Sequence, residues 1–383
     1  MHDALFAQYF DETHDAYRDA CRQFVRAEIQ PHVETWEEAG GFPRALYKKA
    51  AESGILAAGL PEQYGGGGGD VFHTVVAAEE LQRGGSAGVA VGLSSYAIAL
   101  PPILALGTEE QKQRFVVPVL SGDKVAALAI TEPGAGSDVA GVRTRAVQDG
   151  DHYRISGEKT FITSGVNGDF ITVLARTSDH PHRGLTFFVV ERGMPGFTVG
   201  RALKKTGWWA SDTAELHFDD VVVPVANRIG PEGSGFVALM NNFAGERLLL
   251  AVNGCALAML ALEEAHAYAQ QREAFGRTLA GFQVTRHKLA RMATQVASAR
   301  ALTYAAAARL NRGEVAMDEL AMAKNHAGDV ARDVCWEAVQ IFGGMGYMRE
   351  CRVERLARDA RLLPIGGGTQ EIMNELIARG MGL

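Results

Sequence analysis

Cysteine is scarce and scattered. The four residues, Cys21, Cys255, Cys335 and Cys351, form no CxxC pair. That spacing argues against a disulfide framework or a structural zinc cluster and fits a reducing compartment. Positive charge is also short: the chain carries a net charge of -7, whereas a nucleic-acid binder needs a Lys/Arg surplus on some face. The opening MHDALFAQYFDETHDAYRDACRQF has no apolar core segment, so no secretory signal is read and a cytoplasmic location is expected. A membrane span is not expected either. The longest uncharged run, 84–108, is interrupted by Ser94-Ser95 and Pro101-Pro102 and reads as a buried helical region. At 47% hydrophobic and 22% charged, the composition is that of a soluble globular protein. Glycine is in excess, with 44 in 383 residues against a usual share of about 7%.

The length suits two or three packed domains. From Asp11 to about Gly107, AYRDACRQFVRAEIQPHVETWEEAG and FPRALYKKAAESGIL repeat apolar residues every three or four positions, as helices do. The Gly65–Gly69 run lacks a preceding strand and reads as a flexible connection. Near Lys124 the pattern changes to short β-branched or aromatic segments such as VAALAIT, HYRISGEKTFIT, DFITVLART and GLTFFVVERG. Helical spacing returns at Gly235 and persists almost to the end. The expected domains are a helical 1–122, a β-rich 123–232 and a helical bundle 233–383.

Several familiar motifs fail on context. Gly84-Gly85-Ser86-Ala87-Gly88 matches G-x-S-x-G, but AAEELQR before it reads as helix where a nucleophile elbow needs a strand. Gly134-x-Gly136 opens like a dinucleotide fingerprint, yet Val139 stands where a small residue belongs. No Walker loop and no HExxH occurs.

Three segments remain. AITEPGAGSD (129–138) is a strand ending in a Gly-rich turn. It is either an ordinary strand-ending turn or a place where backbone N–H groups and the Thr131 and Ser137 hydroxyls meet a flat heteroaromatic ring or a phosphate. Glu246 and Arg247 are the only charged residues between Phe236 and Leu262. A helix apolar all round is buried, so Glu246 is a general base or half of a buried ion pair with a neighbouring helix. Adjacent helix positions point about 100° apart, so the two do not simply pair with each other. RDARLLPIGGGTQEI (358–372) places three glycines before a terminal helix, either as a helix-ending loop or as a close backbone approach to a ligand.

Together and in this order, these segments resemble the acyl-CoA dehydrogenase family. LPEQYGG, AITEPGAGSD, EKTFITSG, DTAELHFDDVVVP, QREAFGRTLAGFQ, AVQIFGGMGY and RDARLLPIGGGTQEI carry the likeness over nearly the whole chain. The resemblance implies an α+β fold with an N-terminal helical domain, a central β domain and a C-terminal four-helix bundle, assembled as a homotetramer with non-covalent FAD. Leu128, Ile130, Thr131, Gly136 and Ser137 are then expected along one side of the flavin, with Phe161, Ile162 and Thr163 at its other edge. Arg272, Phe275, Gln283, Gln340 and Gly344 are expected to reach the FAD of a neighbouring subunit, and Thr369 and Glu371 complete the cofactor set. Many relatives have Trp at the Phe161 position and Tyr or Phe at the Leu128 position, so ring stacking there is weakened.

The base is where the resemblance becomes specific. Short- and medium-chain members carry it two residues before the Thr of the C-terminal motif, where this chain has Gly367. Isovaleryl and long-chain members carry a Glu before an Arg on the first bundle helix, which matches Glu246-Arg247. The implied reaction is α,β-dehydrogenation of an acyl-CoA thioester, with Glu246 taking the α-proton. A backbone N–H at the Gly367 position would be among the donors to the thioester carbonyl. Ser137, Phe243, Arg247, Gly367 and Gly368 are the expected substrate contacts, and the bare Gly367 is expected to leave room for a bulky acyl chain. The context AGERLLLA leans towards a long-chain acyl group, with branched isovaleryl- or terpenoid-type groups as the alternative. An oxygen-using flavin oxidase or monooxygenase of the same fold is the more distant reading. Electron-transferring flavoprotein is the oxidant the resemblance implies. Trp208-Trp209 departs from the polar residues common there and is expected to serve packing.

Overall fold

The computed structural model describes residues 3–383. Among these residues nine α-helices lead: α1 (Glu12–Phe24), α2 (Val33–Ala39), α3 (Ala45–Glu52), α4 (Val71–Gln82) and α5 (Ala87–Leu93) come first. The short α6 (Tyr96–Ala99), α7 (Pro101–Leu106), α8 (Glu109–Gln111) and α9 (Val117–Leu120) follow. The two longest, α1 and α4, begin alike. Asp11 accepts from the N–H groups of Thr13 and His14, and Asp70 from those of Phe72 and His73, while each histidine ring accepts the cap's own N–H. These reciprocal caps satisfy donors that a helix start leaves orphaned.

The Gly65–Gly69 segment is not a flexible connection. Gly66, Gly67 and Gly68 donate to the carbonyls of Pro61, Ala57 and Leu60, and Gly59 donates back to Gly68. The stretch is knotted onto the turn before it, where a Cβ on Gly66 would sit 2.3 Å from the Leu60 oxygen.

The middle of the chain forms an eight-stranded sheet of β1 (Ala126–Ala129), β2 (Arg145–Asp149), β3 (His152–Thr163), β4 (Phe170–Arg176), β5 (Leu185–Glu191), β6 (Phe197–Ala202), β7 (Thr213–Pro224) and β8 (Arg228–Ile229). Its order is β6-β7-β3-β2-β4-β5-β8, with β1 added parallel to β4. Strands β4 and β5 are buried on both faces, which is why they read as unbroken apolar runs. On β3 and β7 the burial alternates over part of their length, with Tyr153, Ile155, Val221 and Val223 inward.

The bundle consists of α10 (Gly235–Gln271), α11 (Gln283–Asn311), α12 (Met317–Phe342), α13 (Arg352–Ala360) and α14 (Gln370–Gly380). A two-stranded hairpin, β9 (Glu273–Ala274) and β10 (Arg277–Thr278), links α10 to α11. Helix α10 is long and apolar enough to cross a bilayer, but most of its apolar stretch is covered by the rest of the protein. Its Gly254 lets α12 approach closely: a Cβ there would lie 2.9 Å from the Ala327 oxygen.

Candidate active site

Glu246 lies in the fourth turn of α10, half-buried, and makes no hydrogen bond or ion pair among the described residues. Burial pushes its carboxyl above the usual carboxylate range, against the pull of Arg247 and Lys324. The expected alternative, an ion pair with a neighbouring helix, is not formed. Arg247 points elsewhere: its guanidinium sits 5.0 Å from the centre of the Phe243 ring, and its buried Nε has no partner. A desolvated carboxylate without a hydrogen-bond donor is costly to keep and well suited to accepting a proton.

The loop between α13 and α14 closes over this carboxylate. Gly367 and Gly368 adopt φ of +63° and +98°, a region that side chains disfavour. A Cβ on Gly367 would stand 3.3 Å from Glu246 Oε1 and only 2.4 Å from Leu250 Cδ1. The room that a bare Gly367 was expected to leave for substrate is therefore partly taken by Leu250, one helical turn beyond the base. The N–H groups of Gly367 and Gly368 donate to nothing among the described residues. Gly367→Ala is expected to lose about 1–2 kcal/mol of stability from the backbone conformation alone, whereas Gly366→Ala meets only ordinary contacts with Leu362. Thermal denaturation of the two variants checks this, and equal midpoints would refute it.

A second surface forms where β1 runs into the turn 131–138. Glu132 anchors the turn from beneath, accepting from the N–H groups of Arg143 (2.7 Å) and Thr144 (2.9 Å) and from Lys159 Nζ (2.8 Å). Above it, nothing lies within 4 Å of where a Cβ on Gly134 or Gly136 would be. The hydroxyls of Thr131, Ser137 and Thr163 have no partner among the described residues, so each keeps a free donor and acceptor. Leu128, Ile130 and Phe243 pack against the same core. Phe161, at φ +60°, is 68% exposed, and Ile162 beside it is buried. An open glycine turn, three free hydroxyls and an uncovered aromatic ring fit a flat, polar-edged ring such as a flavin.

Other expected cofactor residues lie apart from this surface. Arg272 follows the far end of α10, about 39 Å from Glu246 at 1.5 Å per residue. Arg272, Phe275, Gln283, Gln340 and Gly344 are all exposed there, Phe275 almost fully. Gln283 borders a groove of about 470 Å³ shared with His287, Lys288 and Arg291. One chain does not bring this group to the glycine turn. Thr369 caps α14 by accepting from the Ile372 N–H, and Glu371 is exposed on its first turn.

Trp208-Trp209 packs the β domain onto the bundle, as expected. Trp208 is buried and donates from its backbone and its ring to Asp359. Trp209 lies against the guanidiniums of Arg358 and Arg349, at 3.7 and 4.3 Å from its ring centre. Sequence reasoning missed Lys324, a lysine on the otherwise apolar stripe of Leu320, Ala327 and Ala331. Its place at a core position of that stripe was the available signal.

Comparison with known proteins covers nearly the whole chain. Residues 11–123, 127–221 and 233–382 match the acyl-CoA dehydrogenase N-terminal, middle and C-terminal domain families. The mitochondrial long-chain specific acyl-CoA dehydrogenase of Sus scrofa is 40% identical over 97% of this chain and 86% of its own. The short-chain specific acyl-CoA dehydrogenase of Clostridium acetobutylicum is 39% identical over 94% of this chain and 96% of its own. A crystal structure of a probable acyl-CoA dehydrogenase from Mycobacterium abscessus, 48% identical, superposes with a TM-score of 0.96 over 98% of this chain and 100% of that one.

Proposed function

The chain belongs to the acyl-CoA dehydrogenase family, and from that premise we propose that Glu246 is the base that takes the α-proton of a long-chain acyl-CoA. As a member of that family it is an oxidoreductase acting on a CH–CH bond, with FAD as its cofactor. Leu128, Ile130, Thr131, Gly136, Ser137 and the 161–163 edge would hold the ring. Bound FAD supplies the acceptor for the hydride that leaves the β-carbon.

The observation that carries the reading is the unpaired Glu246 carboxylate facing the Gly367 loop. The α-proton of a thioester is only weakly acidic, so its removal needs two things from the chain. One is a base whose proton affinity is raised, which burial gives Glu246. The other is a set of donors aimed at the carbonyl oxygen as enolate charge develops, and the free Gly367 N–H is one such donor. A backbone donor survives side-chain change, so the base could relocate to α10 while this donor stayed. Arg247, over Phe243, and Ser137 would lie near the CoA portion and the thioester, and Gly368 would pack against the substrate.

Long-chain and short-chain relatives match about equally well, so chain length rests on the Glu246-Arg247 placement and the AGERLLLA context. Electron-transferring flavoprotein as oxidant and a homotetramer, which would bring the Arg272–Gln340 group to a neighbour's FAD, belong to the same proposal. The test is a panel of acyl-CoAs mixed anaerobically with the FAD-loaded protein, following loss of flavin absorbance. Palmitoyl-CoA is expected to bleach it fastest, with butyryl- and isovaleryl-CoA about tenfold slower or more. Butyryl-CoA reacting as fast as palmitoyl-CoA would overturn the chain-length assignment.

A further inference from the structure

Lys324 stands where a core residue belongs. It is 1% exposed on the buried stripe of α12, and a buried ammonium ordinarily needs a counter-charge at contact. No ion pair forms. Its two hydrogen bonds go to carbonyls, Leu363 at 3.1 Å and Gly368 at 2.7 Å. Its Cε lies 3.6 Å from the point a Cβ on Gly367 would occupy, and Glu246 Oε1 lies 3.3 Å from that same point. Base and ammonium stem therefore meet at one bare glycine.

We propose that Lys324 is a positioning residue for the dehydrogenation: by holding the Gly368 carbonyl it pins the Gly367–Gly368 turn beside the base, and it supplies the charge that keeps Glu246 ionised. The inference rests on Glu246 being the base.

Each half has its own observation. Gly367 and Gly368 sit in conformations with little inherent preference to persist, and their N–H groups are unbonded. The loop is held by the Ile365 and Gly366 N–H groups on Leu362, the Gln370 N–H on Pro364, and the Lys324 ammonium joining Leu363 to Gly368, while Asn325 on the same helix donates to the Gln370 carbonyl just past it. Among the described residues, Lys324 is the side chain that bonds a glycine of 366–368 to the bundle. As for charge, two groups face Glu246: Arg247 on its own helix and Lys324 on α12. Both oppose the rise caused by burial. Lys324 is in turn faced by Arg247 and Glu246, and burial brings its ammonium down to about 8, so it remains mostly charged at neutral pH. Without Lys324, desolvation of Glu246 would be opposed by Arg247 alone, and more of the base would be protonated at working pH.

Lys324→Met removes both roles, Lys324→Gln removes the charge but keeps an N–H donor, and Lys324→Arg keeps the charge. In the FAD-loaded protein, the protonated Glu246 carboxyl can be titrated by infrared difference spectroscopy, with the band assigned by its loss in Glu246→Gln. The titration midpoint is expected to rise by about one pH unit in both Lys324→Met and Lys324→Gln, a tenfold loss of ionised base, and to move by less than half of that in Lys324→Arg. The acid limb of the bleaching rate should move with it. On the plateau above that limb, Lys324→Met should be slower than Lys324→Gln by about tenfold, the cost of a loosened loop. Unmoved midpoints in both Met and Gln variants overturn the charge role. A plateau in Lys324→Met equal to the parent's overturns the loop role. Flavin absorbance reports folding, and Lys324→Gln carries the charge test if the Met variant does not fold. If Glu246→Gln still bleaches, the base assignment itself has failed; if it does not bleach and the midpoints stay put, only the Lys324 inference has failed.

Discussion

Glu246→Gln should bind FAD as the parent does and lose acyl-CoA-dependent bleaching by about 10²–10⁴-fold, the range a positioned general base contributes. The substitution is nearly isosteric and replaces a desolvated carboxylate by a neutral amide, so no buried group is left newly charged. Two cations, Arg247 and Lys324, lose the carboxylate they face, a modest electrostatic penalty beside the loss of the proton acceptor. The loop should keep its shape, because its bonds run through Leu362, Leu363, Pro364 and Gly368 and none involves Glu246. Position 367 offers no replacement base, since Gly367 has no side chain. Stopped-flow bleaching with palmitoyl-CoA, alongside the FAD content of the purified variant, is the measurement. A rate within tenfold of the parent would refute the assignment. An apoprotein would instead point to a structural role for the carboxylate.

Whether a feature of this site could be read from sequence depended on whether its signal was local. Glu246-Arg247 stood out because α10 has no other charge for two and a half turns on either side, and an isolated charge in an apolar helix needs a reason. The glycines of 134–136 and 366–368 were conspicuous as clusters, and in both places the chain has left a surface open or adopted backbone that other residues resist. The Gly65–Gly69 run looked the same in composition and behaves differently. Its amides are bonded to carbonyls of 57–61, a partnership that spacing alone does not announce. Lys159 and Lys324 were hidden for other reasons. Lys159 sits in a strand pattern where one lysine reads as a solvated position, and only the packing of a second element turns it inward, whereas Lys324 did carry a signal, its place on the apolar stripe of α12, but a single lysine in a long helix is easily passed over. Trp208 lies between these cases: its identity announced burial, but its partner Asp359 is 151 residues away.

Lys159→Met should be strongly damaging, lowering the thermal midpoint by about 5 °C and releasing FAD. Lys159 is 1% exposed, and it holds Glu132 Oε1 and the Ile130 carbonyl, both at 2.8 Å. The two partners are affected unequally. Burial pushes the Glu132 carboxyl up, but Lys159 and the amides of Thr144 and Arg143 more than offset it and leave it below the usual carboxylate range. Burial of Lys159 outweighs its one carboxylate partner and brings its ammonium down to about 8. The pair is thus stabilised mainly from the Glu132 side, whose other acceptor sites hold the backbone of 143–144. Methionine keeps much of the volume and removes the cation, so Glu132 remains buried with two amides and no counter-charge. Breaking a buried pair from one side typically costs about 3–5 kcal/mol, which corresponds to roughly 5 °C for a chain of this length unfolding as a unit. The cost falls on the turn 131–138, because Ile130 and Glu132 flank its first residue. Adding Glu132→Gln to Lys159→Met should recover part of the loss, since the amide oxygen can still accept from 143–144 while the uncompensated charge disappears. If Lys159→Met melts within about 2 °C of the parent, or if the double variant is no better than the single, an uncompensated Glu132 charge is not what ties the turn to its sheet.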